Sequence, residues 1–539
     1  MTARGADLVV GALAAAGVRH LFSLSGNQIL SVYDATIGRD IRIIHTRHEA
    51  AAVHMADAWG RLGEEPGVAL VTAGPGHMNA LSALYGALMA ESPVVLLSGH
   101  APAGQAGRGA FQEIDQAAAA APVTKASWVA TDAAKLGEDI TRALALAQSG
   151  RPGPVHVSLP GDLLDATVGG EGATGSAAGP RGSMSAAEAD LRRLLELLEG
   201  ARRPLILIGP AMARPARRAA VLRLAAATGM PALPMESPRG VNDPWLHMAT
   251  GCLGRADLVL LLGKRLDFAV RFGGAPPFAP ACRFVQADWD AEALDRSGRV
   301  SLGLVTDPAL LAGELAAVPA LAGSWRAWGE EVASARASVP AEWEGLRRSS
   351  RTPMHPLRVC AEIQPLLDRG AVLVADGGEF GQWIQAGCEA GTRLINGLSG
   401  SIGSALPMAL GARLRHPDRP VIAALGDGTF GFHAFELDTA LRAGLPVVAV
   451  VGNDARWNAE HQLQLQHYGA ARAVACELRP SRYDLVASAL GGHGEHVERP
   501  EELGPALERA LASGLPACVN VMIDGVAAPT YRAAPAPSH

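Results

Sequence analysis

The sequence predicts an α/β protein built from three doubly wound parallel-sheet domains, and three observations lead to this prediction. Short apolar runs such as residues 68–72 and 421–425 have the length of buried strands. Helical segments with one apolar face separate these runs along the chain. The chain has 539 residues, of which 49% are hydrophobic and 19% are charged, so it is long enough for about three cores.

Composition and charge exclude several functional classes. A net charge of −6 leaves no basic surface of the kind that binds nucleic acid or an acidic membrane. The first 20 residues have apolar positions at helical spacing, but Gly11 interrupts them and Gly17 ends them, unlike a signal peptide or a membrane span. The six cysteines are scattered without a CxxC pair, which indicates buried thiols in a reducing compartment. We therefore expect a cytoplasmic protein.

The first predicted domain, residues 1–166, alternates helices with strands. Its first helix is expected from Ala6 to Ala15, and two more in the segments TRHEAAAVHMADAWGRL and AGPGHMNALSALYGALMA. Such alternation is typical of a parallel sheet with helices on both faces. The strands are expected at His20 to Leu24, Arg42 to His45, Val68 to Thr72 and Pro93 to Leu97.

The remaining divisions follow from changes in composition. Residues 167–186 are rich in glycine, alanine and serine and cannot bury enough surface to order themselves, which indicates a linker. A second α/β domain is expected for residues 187–317 and a third for residues 354–526. Between them, residues 318–353 carry three tryptophans in helical surroundings and predict a bridging helix. The Pro/Ala-rich residues 527–539 predict a mobile tail, with an active-site lid as the alternative.

The most informative stretch of the third domain is residues 421–462, which predicts one parallel βαβ unit. The unit consists of a strand from Val421 to Leu425, a Gly-Asp-Gly turn, a helix from about His433 to Arg442 that Gly444 ends, and a strand from Val447 to Val451. Strands joined in this way lie parallel. Asp427 and Asp454 therefore emerge from the same carboxyl edge, where open α/β sheets bind ligands.

Two carboxylates at such an edge suit a hard divalent cation. Mg²⁺ prefers oxygen ligands and commonly shares its coordination with phosphates and water. Gly426 and Gly428 would allow the backbone to approach a diphosphate closely. An ordinary turn between a strand and a helix is the alternative, because Gly-Asp-Gly alone is common.

The segment GDGTF…GND resembles the thiamin diphosphate motif of the acetolactate synthase-like superfamily. The segments TRHEAAA, TAGPGHMNAL and FQEIDQ resemble its pyrimidine-binding domain, and ADGG and LSGSIGSALP its diphosphate-binding domain. In the middle domain, LLGKRLDFAVRFG is similar to 2-hydroxyacyl-CoA lyases and oxalyl-CoA decarboxylases, while other segments resemble benzaldehyde lyase. One departure is Asp454, which stands where these families usually have asparagine.

The resemblance implies thiamin diphosphate and Mg²⁺ as cofactors. The metal would be held by the side chains of Asp427 and Asp454 and by the main-chain carbonyl of Arg456. Ile402 would wedge between the two cofactor rings, although an isoleucine between glycines could also be ordinary core. The other cofactor-binding positions that the resemblance implies are Gly74, Gly378, Glu379, Gly400, Gly426, Gly428 and Thr429.

Glu49 is the catalytic residue that the resemblance marks most clearly. In these enzymes a carboxyl group hydrogen-bonded to ring N1′ drives the aminopyrimidine to its imino tautomer, and an apolar site raises its proton affinity. Without the resemblance, a glutamate in the first turn of a helix commonly offsets the helix dipole. Because the metal site lies in the third domain, the family geometry implies a cofactor between two subunits, hence a homodimer and a tetramer of two such dimers.

The resemblance also implies substrate-facing residues. Asn27 and Gln28 occupy the loop over the thiazolium, and Gln112 is similar to the glutamine that contacts the reacting carbonyl. Glu460 aligns with the catalytic glutamate on the helix after the metal site in pyruvate decarboxylases, and a solvated helix carboxylate is the alternative.

The expected function is the making or breaking of a C–C bond next to a carbonyl, with the cofactor as the electron sink. A 2-oxo acid decarboxylase or carboligase is favoured, and an enzyme similar to 2-hydroxyacyl-CoA lyase or oxalyl-CoA decarboxylase is the alternative. A non-catalytic paralogue is a third hypothesis, which the retention of Glu49, Ile402 and Asp427 argues against. We do not expect FAD, because the middle domain is short and lacks a glycine-rich dinucleotide loop. A CoA-type substrate or a nucleotide on the middle domain stays open.

Overall fold

The computed structural model describes residues 3–169 and 184–530. Three parallel sheets of six, five and six strands within these residues confirm the predicted α/β fold with three doubly wound domains. Most of the predicted linker (residues 170–183) and most of the predicted tail (residues 531–539) lie outside the described residues. None of the described helices is long and apolar enough to span a membrane.

The described part of the first domain has eight strands, of which six form one parallel sheet and two, β1 and β8, pair separately. Its strands are β1 (Ala3–Arg4), β2 (His20–Ser23), β3 (Arg42–His45), β4 (Gly67–Val71), β5 (Val94–His100), β6 (Ala126–Val129), β7 (Val155–Pro160) and β8 (Thr167–Val168). Its helices are α1 (Gly5–Ala15), α2 (Leu30–Ala35), α3 (Glu49–Leu62), α4 (Pro75–Met89), α5 (Gln116–Ala120), α6 (Leu136–Gln148) and α7 (Gly161–Asp165). The strand order is β3-β2-β4-β5-β7-β6. Strands β1 and β8 pair antiparallel, so the first residues of the predicted linker are tied to the start of the chain.

The middle domain has a five-stranded sheet in the order β10-β9-β11-β12-β13. Its strands are β9 (Pro204–Ile208), β10 (Ala232–Pro234), β11 (Leu258–Leu262), β12 (Arg283–Asp288) and β13 (Val300–Val305), and its helices are α8 (Glu188–Glu199), α9 (Pro215–Thr228) and α10 (Pro308–Ala316). Arg151 of the first domain donates to the carbonyl of Gly263 at 3.0 Å and pairs with Glu91 and Asp288. These buried charges join the first domain to the carboxyl edge of the middle sheet.

The connector contains two helices, α11 (Arg326–Ala337) and α12 (Glu342–Arg347), rather than the single predicted one. The chain turns extended at Ser338, and Pro340 cannot continue a helix because it has no N–H to donate. The indole N–H groups of Trp325 and Trp328 donate to carbonyls of the middle domain at 2.9 Å. Trp343 packs near Trp383 of the third domain, with ring centroids 5.8 Å apart. The connector therefore contacts both domains.

The third domain has a six-stranded sheet in the order β15-β14-β16-β17-β19-β18. Its strands are β14 (Val372–Ala375), β15 (Arg393–Ile395), β16 (Val421–Gly426), β17 (Val448–Asn453), β18 (His493–Val497) and β19 (Ala517–Met522). Its helices are α13 (Pro356–Asp368), α14 (Gly378–Gly387), α15 (Ala405–Arg415), α16 (Asp427–His433), α17 (Glu436–Ala443), α18 (Asn458–Tyr468), α19 (Tyr483–Leu490) and α20 (Pro500–Ala512).

The predicted helix from His433 to Arg442 corresponds to α17, and a further helix that was not predicted, α16, starts within the predicted Gly-Asp-Gly turn. Helix α16 begins directly at Asp427, because Gly426 has the extended backbone of an N-cap residue. Gly444 ends α17 in the left-handed conformation (φ 64°) that the sequence predicts. The metal-site aspartate therefore sits in the first turn of a helix rather than in a loop.

Helix α15 of the third domain packs along α3 of the first domain, and side chains of both helices belong to one buried core. The contact is closest at Gly411, where an added Cβ would lie 2.6 Å from the carbonyl oxygen of Met55 and 3.0 Å from Ala58 Cβ. Only glycine allows the two helices to approach this closely. The docking of the two domains thus depends on a residue without a side chain.

Replacing Gly411 with alanine should lower the free energy of unfolding by about 1–3 kcal/mol, because the new methyl group overpacks this contact. Gly313→Ala is the matched control, since it lies in α10 and its added Cβ would meet no described atom within 4 Å. That control should be neutral or stabilising by about 0.5–1 kcal/mol. Denaturant unfolding followed by tryptophan fluorescence measures both changes, and equal stability of the two variants would contradict the prediction.

Candidate active site

Two carboxylates meet at the carboxyl edge of the third sheet. Strands β16 and β17 are parallel with Gly426 opposite Gly452, so Asp427 and Asp454 follow neighbouring strand ends. Burial raises the pKa of Asp427 to about 6. Burial and then the charge of Asp427 raise the pKa of Asp454 to about 7. The two side chains lie close enough to repel each other, as a cation-binding pair does before it is neutralised.

The residues at this edge fit a magnesium ion. The amides of Ala455 and Arg456 donate towards the Asp427 carboxyl group, yet Asp427 Oδ2 is buried without a hydrogen-bond partner in the described part of the chain. Across the residues that the structure describes, no group of three His, Cys, Asp or Glu side chains could hold a metal. A cation here would take its other ligands from main-chain carbonyls, phosphate and water, which is the coordination typical of Mg²⁺.

A cavity of about 190 Å³ runs along the same edge. Its walls come from the third domain, with a short segment of the middle domain at one side. All the cofactor and metal residues predicted for the third domain line it, together with the predicted catalytic Glu460. These residues are Gly378, Glu379, Gly400, Ile402, Gly426, Asp427, Gly428, Thr429, Asp454, Arg456 and Glu460.

Glycines leave room in this cavity that a side chain would fill. An added Cβ at Gly428 would lie 2.7 Å from the ring of Trp457. At Gly377 it would lie 2.8 Å from Ile402 Cγ2, so the backbone of this turn passes directly beside the isoleucine. At Gly378 and Gly426 an added Cβ would meet no described atom closer than 4.0 Å, so the backbone there is open to a ligand such as a diphosphate. The cradle therefore fits a phosphorylated cofactor.

Asp376 organises the turn that carries Ile402, and sequence reasoning missed this role. Its carboxylate is fully buried and accepts hydrogen bonds from the amides of Gly377 at 2.7 Å, Gly403 at 3.0 Å and Ala405 at 3.0 Å. Burial raises the pKa of Asp376 to about 6. The available signal was its position directly after a strand, in the segment ADGG.

Glu379 lies between this cavity and a larger one of about 710 Å³. Its Oε1 accepts from the amide of Ala528 at 2.5 Å, and its Oε2 accepts from Gln382 at 3.2 Å. Burial raises the pKa of Glu379, and the charge of Glu460 adds to that shift. Residues 527–530, at the start of the predicted tail, therefore form part of the cavity wall.

The middle domain contributes Arg239, which lines both cavities and was missed by sequence reasoning. Arg271 lines the larger cavity. Arg265, six residues earlier in the sequence, instead lies near the charges of Arg151, Glu91 and Asp288. A weak signal for Arg239 existed, because it follows the short strand β10 and so comes at the carboxyl edge of a parallel sheet.

The predicted residues of the first domain form a second, separate cluster. Glu49 is the first residue of α3, and its Oε2 accepts from Asn79 Nδ2 at 3.0 Å. Gln28 donates to Gln112 Oε1 at 2.9 Å and accepts from Thr72 Oγ1 at 2.6 Å.

Backbone geometry holds this cluster in place. Gln112 has a φ of 60°, which is uncommon for a residue other than glycine, and Gly74 has a φ of 56°. An added Cβ at Gly74 would lie 2.7 Å from the carbonyl oxygen of Gln112. Gln116 accepts from the amide of Gly74 at 2.9 Å. Asn27 is exposed beside the cluster, at the start of a short 3₁₀ turn.

The two clusters do not meet within one chain. Helix α4 passes from one to the other: an added Cβ at Gly76 would lie 3.2 Å from Glu49 Oε1, and at Gly86 it would lie 3.8 Å from Ser399 Oγ, in the loop before Ile402. The helix between these two glycines is about 15 Å long. Glu49 and the Ile402 loop therefore lie beside opposite ends of this part of α4.

Comparison with known proteins identifies a family domain in each of three parts of the chain. Residues 3–119 match the family model for the thiamine pyrophosphate enzyme N-terminal TPP binding domain, residues 191–315 match its central domain, and residues 376–521 match its C-terminal TPP binding domain. A probable acetolactate synthase of Mycobacterium bovis is 38% identical over 537 residues, which cover 97% of this chain and 96% of that relative.

Relatives with a lower sequence identity are named 2-hydroxyacyl-CoA lyases. A 2-hydroxyacyl-CoA lyase of Oryza sativa subsp. japonica is 30% identical over 561 residues, covering 97% of this chain and 96% of that protein. The 2-hydroxyacyl-CoA lyase 2 of Homo sapiens is 30% identical over 576 residues, covering 96% and 90%. The predicted superfamily is thereby confirmed. The chain belongs to the thiamine pyrophosphate enzymes, as a thiamin diphosphate-dependent lyase or carboligase of the acetolactate synthase and 2-hydroxyacyl-CoA lyase type.

Proposed function

We propose that this chain uses thiamin diphosphate and Mg²⁺ to make or break a C–C bond next to a carbonyl, as a 2-oxo acid decarboxylase or carboligase. The observation that carries the proposal is the glycine-lined cavity whose wall contains Asp427, Asp454 and Ile402. The similarity to acetolactate synthases along 97% of the chain supports the choice of reaction. When bound, the cofactor supplies the electron sink for the bond next to the carbonyl.

The residues of the third domain bind and orient. Asp427, Asp454 and the carbonyl of Arg456 would hold the cation, which would offset the charge of the diphosphate beside the two carboxylates. Ile402 would contact the cofactor rings, and Asp376 holds the turn that carries it. Positioning of this kind contributes several kcal/mol to lowering a barrier, about 7 or more in the best cases.

Glu49 holds the proton that the cofactor ring requires. Asn79 occupies its Oε2, which leaves Oε1 to carry a proton towards a ring nitrogen. Gln28 and Gln112 are neutral amides that can orient a carbonyl group but are poor proton carriers. Glu460 is exposed to the cavity at the first turn of α18 and exchanges a proton with the reacting group.

We propose a homodimer as the smallest active unit and a pair of dimers as the tetramer. Helix α4 runs for about 15 Å between Gly76, beside Glu49, and Gly86, beside the Ile402 loop, and this supports two chains per site. Large exposed apolar side chains on α4 and on the residues of α16 and the turn after it support a surface that a second copy covers. They are Met78, Tyr85, Phe432 and Phe435.

All six cysteines are free thiols, which supports a reducing, cytoplasmic location.

A CoA thioester is the second candidate substrate, and the larger cavity favours it. Arg239 and Arg271 line this cavity of about 710 Å³, and neither guanidinium group has a hydrogen-bond or ion-pair partner among the described residues. Unpaired arginines suit an anionic group, which is a carboxylate in a 2-oxo acid and a phosphate in CoA. The relatives named 2-hydroxyacyl-CoA lyase support the same candidate.

A substrate panel with thiamin diphosphate and Mg²⁺ separates these candidates. Release of carbon dioxide or formation of acyloins from 2-oxo acids supports the first, and formation of formyl-CoA from 2-hydroxyacyl-CoA supports the second. If neither class of substrate reacts while the cofactor binds, the proposed reaction is wrong and a non-catalytic paralogue is favoured.

Replacing Glu49 with glutamine should slow exchange of the cofactor C2 hydrogen for deuterium by about 10²–10⁴-fold, because the proton-carrying group is lost. Quenched-exchange NMR measures the rate. Glu138→Gln is the matched control, since Glu138 also lies in the first turn of a helix but is exposed on α6. Equal slowing in both variants would mean that Glu49 only offsets a helix dipole.

Replacing Asp454 with asparagine should weaken the dependence on metal, because one of the two carboxylates facing the diphosphate is lost. Without Mg²⁺ we expect the variant to bind thiamin diphosphate about tenfold more tightly than the unchanged chain, and to gain less from added Mg²⁺. Calorimetric titration with and without Mg²⁺ measures both affinities, and Asp418→Asn at an exposed position is the control. An unchanged or larger gain from Mg²⁺ would contradict the prediction.

Replacing Glu460 with glutamine should reduce kcat by about 10²-fold or more while the affinity for cofactor stays within twofold, because a group that exchanges protons becomes neutral. Steady-state kinetics and cofactor titration measure the two effects. Glu501→Gln, at an exposed first-turn position of α20, is the matched control. Full activity of Glu460→Gln would remove Glu460 from the site.

A further inference from the structure

The turn that leads into Glu49 is held by a carboxylate from another domain. Glu436 is the first residue of α17 and is 1% exposed. The amide of Arg47 donates to both of its carboxylate oxygens, at 3.1 and 3.2 Å. The amide two residues before Glu49 is therefore fixed by a single buried side chain.

Among the described residues, the Glu436 carboxylate accepts hydrogen bonds from the amide of Arg47 and from one side chain, that of Thr439. Thr439 Oγ1 donates to its Oε2 at 2.6 Å, which orients the group towards the turn. Burial raises the pKa of Glu436, while the donors from Thr439 and Arg47 act in the opposite direction. Glu436 does not line either cavity beside the metal edge. It therefore acts through the turn and not on a ligand.

Other side chains of α16 and α17 also contact this turn or the residues on either side of it. Arg442 Nη2 donates to the carbonyl oxygen of His45 at 2.8 Å. The carboxylate of Asp438 lies 3.6 Å from Arg47 Nη1. The ring of His433, at the end of α16, lies 5.7 Å from that of His48, measured between centroids. The strand end, the turn and the start of α3 thus all contact the pair α16 and α17.

We propose, resting on the function proposed above, that Glu436 is a positioning residue that sets the direction of the Glu49 side chain. Because α3 begins at Glu49, any movement of the Arg47 amide tilts its first turn. Among the described residues, Asn79 is the one side chain that donates to the Glu49 carboxylate, so it holds the end of that side chain while Glu436 holds the backbone before it.

The same contact links the two clusters of the site. Helix α16 starts at Asp427 of the metal edge, and α17 follows it directly to Glu436. In the proposed homodimer, the metal edge serves one cofactor and Glu49 serves the other. A shift of α16 on metal binding would therefore reach the proton-carrying residue of the second site through one buried carboxylate.

Hydrogen–deuterium exchange on the cofactor-free protein tests the contact directly. In Glu436→Gln, one acceptor oxygen becomes an NH₂ group, so we expect the amides of residues 45–50 to exchange at least tenfold faster than in the unchanged chain. Gly411→Ala is the control for general loosening, because it disturbs the contact between α3 and α15 but leaves the turn intact. Unchanged exchange in residues 45–50, or equal acceleration in Gly411→Ala, would overturn the proposal.

The holoenzyme gives a second readout, the rate of hydrogen exchange at cofactor C2. We expect Glu436→Gln to slow it about tenfold while the affinities for thiamin diphosphate and Mg²⁺ stay within twofold. An unchanged C2 rate in the variant overturns the positioning role. Absence of C2 exchange in the unchanged chain would instead overturn the proposed function.

Thr439→Val keeps the test decisive if Glu436→Gln does not fold. It removes the hydroxyl that orients Glu436 Oε2 but leaves the carboxylate and its bonds to the amides in place. We expect a smaller acceleration of amide exchange in the same residues, about threefold, and a C2 rate lowered in proportion. No change in either rate would overturn the proposal.

Discussion

The parallel pairing of β16 with β17 is the constraint on which the rest of the site depends. Its register sets Gly426 opposite Gly452, so each strand delivers one aspartate to the same buried edge. Two carboxylates in this position raise each other's proton affinity and are unfavourable as neighbours unless a cation or protons lie between them. The glycine turns, the buried Asp376 and the start of α16 all serve to keep this edge open to a phosphorylated ligand.

A second constraint is the length of α4. The helix carries Gly76 against Glu49 at one end and Gly86 against the Ile402 loop at the other, so a rigid element separates the two clusters of one chain. In the proposed homodimer, each site therefore takes one cluster from each chain. Assembly becomes part of the proposed chemistry, and Glu436 provides a physical link by which the two sites of a dimer would sense each other.

The sequence made the local parts of this arrangement predictable. Asp427 and Asp454 stand at the spacing of one βαβ unit, and Gly444 marks the end of its helix, so short-range rules place them. The exact start of α16 was not predictable, because Gly426 could equally have belonged to a loop. Asp376, Arg239 and Glu436 were missed for a different reason. Asp376 and Glu436 hold main-chain amides that lie elsewhere in the sequence, and Arg239 belongs to a middle-domain segment that only the packing of the domains brings to the cavity.

Mixed dimers test the composite site most directly. Glu49→Gln and Asp427→Asn would each inactivate a homodimer, but a mixed dimer would contain one site with both residues intact. Co-expressed in equal amounts, the two variants should recover about a quarter of the activity of the unchanged enzyme, because half of the dimers are mixed and half of their sites are complete. Activity that stays at the level of the separate variants would contradict a site shared between two subunits.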